Sequence, residues 1–365
     1  MQRVSIDVAP RPYQVFIEAG ILRDAGKLMR AEFGEPRHAF VVTVAKVRRR
    51  WGKALARSLK GAGFEAEFLE MPDGETHKRL TTVEALAVRM SRLGADRKSI
   101  VAAFGGGVVG DTAGLLASLY MRGVDLVQIP TTLLAQVDAS VGGKTGVDLK
   151  TGKNLVGTFH HPRLVISDIA VLSSLPPREF RAGLYESLKC GVIGSPRLFS
   201  EIEGCDASGL IENARALRSI VTQSVSLKAR VVSADEREGG LRRVLNFGHT
   251  IGHALETESG YRRFLHGEAV AWGMIAATRL AAATNRIDTF AARRIIDAVL
   301  GLGPLPKVTA RGKKILGLLQ GDKKTLDGRV HFVLPTKVGK VEIANDVPEA
   351  LVVGVVDELR DIATA

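Results

Sequence analysis

Short apolar runs alternate with amphipathic stretches through the first half of the chain. Runs of strand length are separated by segments in which apolar residues recur at the three-to-four spacing of a helix. The predicted strands are residues 1–7, 39–44, 64–71, 99–104, 125–129 and 164–167, and the predicted helices are residues 47–62 and 82–93. This rhythm of strand, helix and strand predicts a parallel sheet with helices packed on its faces.

The pattern changes at Leu175-Pro176-Pro177. Beyond these prolines, alanine- and leucine-rich stretches have helical period, and one strand-like run lies near the end at residues 329–334. The predicted helices are residues 178–192, 207–235 and 268–285. We therefore predict two domains, an α/β domain over residues 1–175 and a mostly helical domain over residues 176–365.

Composition and charge narrow the class of protein. Of the 365 residues, 45% are hydrophobic and 25% are charged, as in an ordinary globular protein. The formal net charge of +12 is spread over separate basic pairs, which indicates a basic surface and not a nucleic-acid-binding tail. Two cysteines, no signal-peptide pattern in the first residues and no apolar run of membrane length indicate a cytoplasmic protein.

A glycine-rich loop follows the predicted strand at residues 99–104. Gly105, Gly107 and Gly110 have the G-x-G-x-x-G spacing at a strand-to-helix turn, where a pyrophosphate can approach backbone amides. The late position of the motif and the lack of an acidic residue at the usual distance favour a tight turn without a ligand. A second polar turn at residues 73–78, where a ribose or adenine could be held, favours the nucleotide site.

Polar residues and glycines also follow the predicted strand at residues 125–129. The polar positions are Thr131, Thr132, Asp138, Lys144, Lys153 and Asn154. Because ligands bind beyond the carboxyl ends of strands in a parallel sheet, this stretch, predicted as a loop, suits a polyhydroxylated anion. A phosphate-binding P-loop is rejected, since that motif needs a glycine where the chain has Asp138.

Three histidines and several carboxylates are candidate ligands of a metal ion. His249 and His253 are four residues apart and would share one face of a helix, and His266 precedes an apolar helix. Zinc binds imidazole nitrogen and carboxylate oxygen, so two histidines and one acid would hold it. The motif is not that of metalloproteases, because Thr250 stands where a glutamate is needed. The spacing leaves the acid open among Glu186, Glu256 and Glu268.

Several long runs, found in the right order, resemble the 3-dehydroquinate synthase family. The resemblance extends from Asp73 to Lys324 and is far more specific than any single motif. The runs are GGGVVGDTAGLLASLYMRG, PTTLLAQVDASVGGKTGV, GKNLVGTFHHPR, LPPREFRAGLYESLKCG, LNFGHTIGHALE and LHGEAVAWGM. The resemblance implies an N-terminal α/β nucleotide-binding domain with a parallel sheet and a mostly α-helical C-terminal domain. It also implies NAD and zinc or cobalt as cofactors, and a homodimer.

The resemblance assigns residues to the site as well. It implies the zinc ligands Glu186, His249 and His266. The implied NAD-binding positions are Asp73, Gly74, Glu75, Thr76, His77, Lys78, Gly107, Val108, Val109, Gly110, Asp111, Thr131, Thr132, Lys144, Lys153, Val171, Leu172, Ser173 and Ser174. The implied catalytic and substrate-binding positions are Asp138, Lys144, Asn154, Lys189, Lys228, Arg242, Asn246, His253 and Lys324, with Arg122 reaching the substrate phosphate across a dimer interface.

The implied reaction converts 3-deoxy-arabino-heptulosonate 7-phosphate to 3-dehydroquinate and phosphate. Transient oxidation by NAD is followed by phosphate elimination, reduction, ring opening and an intramolecular aldol closure. The substrate has a carboxylate and a phosphate, which accounts for the many cations in the implied site. His253 would either handle a proton or bind near the phosphate.

Three alternatives compete with this reaction. The first is a cyclase for sedoheptulose 7-phosphate or glucose 6-phosphate, which lack the carboxylate. The second is a metal- and NAD-dependent polyol dehydrogenase, and the third is a basic nucleic-acid-binding protein. By resemblance, the carboxylated substrate is favoured by the presence of Lys228, Arg242, Asn246 and Lys324.

Overall fold

The computed structural model describes residues 1–321 and 330–362 of the protein. Contacts divide the chain into two compact units. The first comprises Met1–Leu175 and Ala214–Ala229, and the second comprises Pro176–Asn213 and Arg230–Ala365. Residues 214–229 therefore group with the α/β unit, where Arg218 forms an ion pair with Glu18 at 2.9 Å. The assignment of residues 1–175 and 176–365 to two domains stays a prediction.

Strands and helices alternate through the first half of the described chain, and helices dominate the second half. The strands are β1 (Gln2–Ile6), β2 (Tyr13–Glu18), β3 (His38–Val44), β4 (Glu65–Met71), β5 (Ile100–Gly105), β6 (Asp125–Pro130), β7 (Lys144–Leu149), β8 (Gly152–Phe159), β9 (Leu164–Asp168), β10 (Phe332–Lys337) and β11 (Lys340–Ala344). The helices are α1 (Ala25–Phe33), α2 (Ala45–Val47), α3 (Lys53–Gly61), α4 (Leu80–Arg92), α5 (Gly107–Leu119), α6 (Pro177–Gly194), α7 (Pro196–Ile202), α8 (Ala207–Glu212), α9 (Ala214–Ala234), α10 (His249–Glu258), α11 (His266–Ala283), α12 (Thr289–Gly301), α13 (Gly312–Gly321) and α14 (Glu349–Glu358). The predicted fold class is confirmed.

Seven strands of the first unit form one sheet in the order β1-β2-β9-β6-β5-β3-β4. Neighbouring strands from β2 to β4 in this order are parallel, and β1 pairs antiparallel with β2. Every residue of β5 is buried, as expected for a parallel strand covered on both faces. The strand order reverses between β3 and β5, and ligands bind in parallel sheets at such a point, beyond the carboxyl ends of the strands.

The polar stretch predicted as a loop forms a short π-helical turn, Ala135–Ala139, and the antiparallel hairpin of β7 and β8. The hydroxyls of Thr145 and Thr158 are 2.8 Å apart across this hairpin. A Cβ atom at Gly157 would lie 2.0 Å from the Thr145 carbonyl oxygen, so only glycine lets the strands approach this closely. The loop prediction was wrong because these glycines serve strand pairing.

Helix α11 occupies the centre of the second unit and is buried along most of its length. Helices α6, α10 and α12 pack against it. The single helix predicted over residues 207–235 is two helices, because Asn213 leaves the helical conformation with φ −96° and ψ 86°. In the part of the chain that the structure describes, no helix has both the length and the apolar character needed to cross a membrane.

Candidate functional site

Three helices of the second unit bring the predicted metal ligands together. Glu186 lies in α6, His249 is the first residue of α10, and His266 is the first residue of α11. Glycine permits this packing, since a Cβ atom at Gly267 would lie 2.0 Å from the carbonyl oxygen of Ala182 in α6. The backbones of α6 and α11 are therefore in direct contact beside His266, one helical turn from Glu186.

The Glu186 carboxylate faces both imidazoles. Its Oε1 lies 3.8 Å from Nε2 of His249 and 3.9 Å from Nε2 of His266. Adjacent ligands of a tetrahedral zinc ion are about 3.3 Å apart, so small side-chain rotations would bring these three atoms to ligand positions. Glu186 is 1% exposed, and neither of its oxygens accepts a hydrogen bond, although Lys189 Nζ forms an ion pair with Oε2 at 2.5 Å. Oε1 is therefore a buried carboxylate oxygen that accepts no hydrogen bond, and such an atom fits a bound cation.

The opposite nitrogen of each imidazole is held by a protein acceptor. Nδ1 of His249 lies 3.1 Å from the carbonyl oxygen of Phe247, and Nδ1 of His266 lies 3.3 Å from Oε2 of Glu256. When Nδ1 donates to such acceptors, the lone pair is on Nε2, as metal ligation requires.

Burial lowers the pKa of His249 well below its usual range, and the charges of Lys189, His253 and His266 lower it further. The His249 imidazole is therefore neutral, which is its metal-binding form.

The structure separates the three carboxylates that the spacing left open. Glu186 faces the two Nε2 atoms, and Glu256 lies behind His266. Glu268 forms a bidentate ion pair with Arg178 at 2.6 and 2.7 Å, and it accepts a hydrogen bond from the Leu265 backbone N–H at 2.8 Å. Glu268 is thus fully engaged in fixing the start of α11.

His253 lies beside the other two histidines. Ligand atoms of His249, His253 and His266 all lie within 4.8 Å of one another, so three histidines and Glu186 surround one position. The His253 ring is 5.2 Å from the His249 ring in an edge arrangement. Glu186 differs from His253 in its burial, since Glu186 Oε1 is buried and accepts no hydrogen bond, whereas His253 is half-buried.

The segment between α9 and α10 positions two further predicted residues. Asp235 accepts hydrogen bonds from the backbone N–H groups of Gly239, Gly240 and Arg242. The Arg242 side chain is 3% exposed and donates to the Glu236 carbonyl, and Asn246 donates to Glu238 Oε1 at 3.4 Å. The role of Asp235 was not predicted, and the available signal was its position shortly before two glycines and a basic pair. The predicted residue Lys324 lies outside the described residues.

The first unit contains the candidate nucleotide site at the start of α5. Gly105 ends β5, no side chain caps α5, and the first turn of α5 has no acidic residue. A Cβ atom at Gly110 would lie 3.0 Å from Gln128 Oε1 on β6, so this glycine permits close helix-to-strand packing. The predicted positions Gly107, Val108 and Val109 form the helix N-terminus, which binds phosphate groups favourably.

Lys78 links this helix to the hairpin. Its Nζ lies 2.6 Å from Asp111 Oδ2 and donates to Asn154 Oδ1, and the residue is 3% exposed. Burial opposes the charged ammonium, but the carboxylates of Asp111, Glu75 and Asp148 outweigh it and raise the pKa of Lys78. Asp148, which the sequence analysis did not single out, accepts the Asn154 backbone N–H at 2.9 Å. Lys78 therefore has a structural role, since its charge joins the predicted site residues Asp111 and Asn154.

Other predicted residues of the first unit also take part in contacts. Lys228, in α9, donates to the carboxylate and the carbonyl of Asp138, both at 2.6 Å. Lys153 Nζ lies 3.6 Å from Glu75 Oε1. The side chain of Asp73 forms an ion pair with Lys46 at 2.7 Å.

The remaining predicted positions of the first unit are of three kinds. The first kind is exposed to solvent and comprises Gly74, Thr76, His77, Arg122 and Lys144. Thr131 follows β6 and is buried, and Thr132 accepts the Ala135 backbone N–H. The side chains of Val171 and Leu172 are buried, and the hydroxyls of Ser173 and Ser174 donate to backbone carbonyls within the turn Ile169–Ser174. Val171 and Leu172 therefore present no exposed side chain to a ligand, whereas Ser173 is exposed and Ser174 is half-buried.

Comparison with known proteins identifies the family of this chain. Residues 68–182 match the N-terminal family model of 3-dehydroquinate synthase, and residues 183–325 match the C-terminal one. A 3-dehydroquinate synthase of Koribacter versatilis is 54% identical over 361 residues, covering 99% of this chain and 98% of that protein.

Two solved structures are similar along the whole chain. A 2-epi-5-epi-valiolone synthase from Streptomyces hygroscopicus with bound NAD+ and Zn2+ has a TM-score of 0.88 and 30% identity, covering 99% of this chain and 100% of that one. A 2-deoxy-scyllo-inosose synthase complexed with carbaglucose-6-phosphate, NAD+ and Co2+ has a TM-score of 0.85 and 28% identity, covering 98% and 99%. Since both halves match the family models and a relative shares more than half of its residues, the chain belongs to the 3-dehydroquinate synthase family.

Proposed function

We propose that the chain catalyses the reaction of its family, the conversion of 3-deoxy-arabino-heptulosonate 7-phosphate to 3-dehydroquinate and phosphate. In this proposal it is an NAD- and metal-dependent lyase that eliminates phosphate. The observation that supports the proposal best is the buried Glu186 carboxylate, which faces Nε2 of both His249 and His266. This set of ligands matches zinc or cobalt in a site that keeps a position open for substrate.

The two cofactors would supply hydride transfer and polarisation of a substrate oxygen. Glu186, His249 and His266 would hold the metal ion. NAD would lie at the N-terminus of α5, with its pyrophosphate on the N–H groups of Gly107 to Val109. The turn at residues 73–78 and the hairpin residue Lys153 would contact the rest of the nucleotide.

The chain's own cations would bind the substrate anions. Arg242 is buried in a turn fastened by Asp235, and Lys189 is 1% exposed beside Glu186, so both charges are held in place before substrate arrives. Preorganised charges of this kind stabilise developing negative charge without a cost of reorganisation. Lys228, Asp138, Asn154, Asn246 and Lys144 would complete the binding of hydroxyl groups and anions.

His253 would act on a proton or bind near the phosphate, because its ring adjoins both histidine ligands. We further propose that the enzyme acts in the cytoplasm as a homodimer in which Arg122 reaches the partner's substrate phosphate. Arg122 fits this role by its exposure and its position in a turn with φ 71°, away from the buried core.

Release of inorganic phosphate tests the proposed reaction. Purified protein is supplied with NAD, zinc or cobalt, and one of three substrates: the heptulosonate phosphate, sedoheptulose 7-phosphate or glucose 6-phosphate. We expect release from the heptulosonate phosphate, loss of release with a chelator, and no net absorbance at 340 nm, because NAD is regenerated in every turnover.

Each alternative predicts a different result in the same assay. Release from only sedoheptulose 7-phosphate or glucose 6-phosphate, which lack the carboxylate, would reject the carboxylated substrate. Steady accumulation of NADH would indicate an ordinary polyol dehydrogenase. If a Glu186→Ala variant released phosphate at the unchanged rate, the proposed metal site would be rejected.

A further inference from the structure

The helix that presents the histidines also presents a buried carboxylate. His249, His253 and Glu256 occupy positions i, i+4 and i+7 of α10 and therefore share one face of the helix. Glu256 is 3% exposed. Burial of a charged carboxylate is costly unless it contacts a polar or charged partner. Glu256 contacts such a partner in His266, whose Nδ1 lies 3.3 Å from its Oε2.

We infer that Glu256 is a positioning residue for the metal site, holding His266 in the tautomer and ring orientation that present Nε2 to the ion. The inference rests on the proposed function, because it assumes that His266 is a metal ligand. A carboxylate acceptor behind Nδ1 keeps that nitrogen protonated and places the lone pair on Nε2. The Nε2 atom is the one that faces Glu186 Oε1, at 3.9 Å.

The two histidine ligands differ in this respect. His249 is backed by the neutral carbonyl of Phe247, whereas His266 is backed by a full negative charge. A carboxylate raises the basicity of the imidazole and therefore strengthens the bond to the metal. The side chain of His266 is 30% exposed and that of His249 is 11% exposed, so packing restrains His266 less. The more exposed ring is the one that gains a carboxylate.

The backbone of His266 is fixed by a different acid. Glu268 accepts the Leu265 N–H and binds Arg178, which holds the first turn of α11. This contact sets the position of the main chain but leaves the torsions of the His266 ring free. Glu256 restrains the ring itself, so the two carboxylates have separate tasks.

The test compares Glu256→Gln with Glu258→Gln. Glu258 lies on the same helix, and its carboxylate binds Lys314 at 3.0 Å, so the control removes the same charge without touching the imidazole. Metal-free protein is titrated with zinc against a chromophoric chelator, and cobalt-loaded protein is examined by visible absorption. We expect Glu256→Gln to weaken zinc binding by about 10- to 100-fold and to shift the cobalt bands, and Glu258→Gln to do neither.

A second variant separates a loss of zinc binding from a loss of folding. Glu256→Asp retains the charge with a shorter reach, and its thermal unfolding without metal shows whether the fold persists. Weakened zinc binding by a folded Glu256→Asp protein supports the inference. Equal zinc affinities for Glu256→Gln, Glu258→Gln and the unsubstituted protein would overturn it. Failure of the unsubstituted protein to bind one zinc ion would instead reject the metal site of the proposed function.

Discussion

The contact between α6 and α11 makes Gly267→Ala a sharp test of how the metal site is built. The added Cβ atom would lie 2.0 Å from the Ala182 carbonyl oxygen, whereas contacts of real Cβ atoms stay above 3.0 Å. The position of the Cβ atom is set by the backbone of α11, and the carbonyl group belongs to the backbone of α6, so neither can rotate away. The two helices must therefore separate by about 1 Å, next to His266 and one turn from Glu186.

A displacement of this size should affect function more than folding. Overpacking of a core typically costs about 1–3 kcal/mol in the free energy of unfolding. Misplacement of a reacting group by 1 Å can cost about 100-fold in rate. We therefore expect Gly267→Ala to remain folded while its rate of phosphate release falls about 100-fold and its zinc affinity also falls.

Gly354→Ala is the matched control. Gly354 lies inside α14 with open space where its Cβ would be, so alanine should stabilise that helix by up to about 1 kcal/mol and leave activity unchanged. Thermal unfolding, zinc titration and phosphate release are measured for both variants. Full zinc affinity and full activity in Gly267→Ala would show that the close approach of α6 and α11 does not position the metal ligands.

Three further predictions concern charged groups. Lys78→Met leaves Asp111, about a fifth exposed, without its cation, and should lower the free energy of unfolding by about 3 kcal/mol in urea denaturation. Since the pKa of Lys78 is raised, the contribution of its charge is present below the ordinary value of 10.5 and is lost only as the pH rises through the raised pKa, so the two proteins should still differ in stability at about pH 9. Asp168→Asn weakens an acceptor of three backbone N–H groups and should lower the free energy of unfolding by about 1.5–3 kcal/mol; a neutral effect would contradict that role. Hydrogen bonds from the Arg242 amide and two glycine amides lower the pKa of Asp235 to about 2, so protection of the Arg242 amide from hydrogen exchange should persist above pH 3.8 and decline as the pH falls from 3.8 to about 2, whereas Asp235→Asn should lose it at neutral pH.

The sequence predicted the sheet well because buried parallel strands have a plain signal. Residues 39–44 and 99–104 are continuous apolar runs, and both form central strands. The hairpin of β7 and β8 was mistaken for a loop, because glycine has the same appearance in a turn and in a closely packed strand pair. The division at Asn213 has no periodic signal at all, since the helices on either side have similar composition.

The metal site was predictable only in part. The four-residue spacing placed His249 and His253 on one helical face, but the choice among three acids depended on contacts between separate helices. Glu256 shares the helical face of the histidines, and it nevertheless lies behind His266 and not in front of it. Spacing along one helix does not reveal which side of a ring from another helix an acid will contact.

The nucleotide half shows a similar limit. The glycine spacing located the N-terminus of α5, but no sequence pattern indicated that Lys78 would be buried in an ion pair with Asp111. Residues 171–174 were assigned to NAD by resemblance, yet Val171 and Leu172 direct their side chains into the core. Contacts from Val171 and Leu172 would have to come from their backbone groups, whereas the side chain of Ser173 is exposed.

In the proposed metal site, Glu186 binds the ion together with His249 and His266. Anomalous diffraction at the zinc edge, from crystals of zinc-loaded protein, tests it most directly. We expect one strong peak at about 2.0–2.2 Å from a Glu186 oxygen and from Nε2 of both histidines. A peak bound by His253 in place of Glu186, or no peak among these residues, would contradict it.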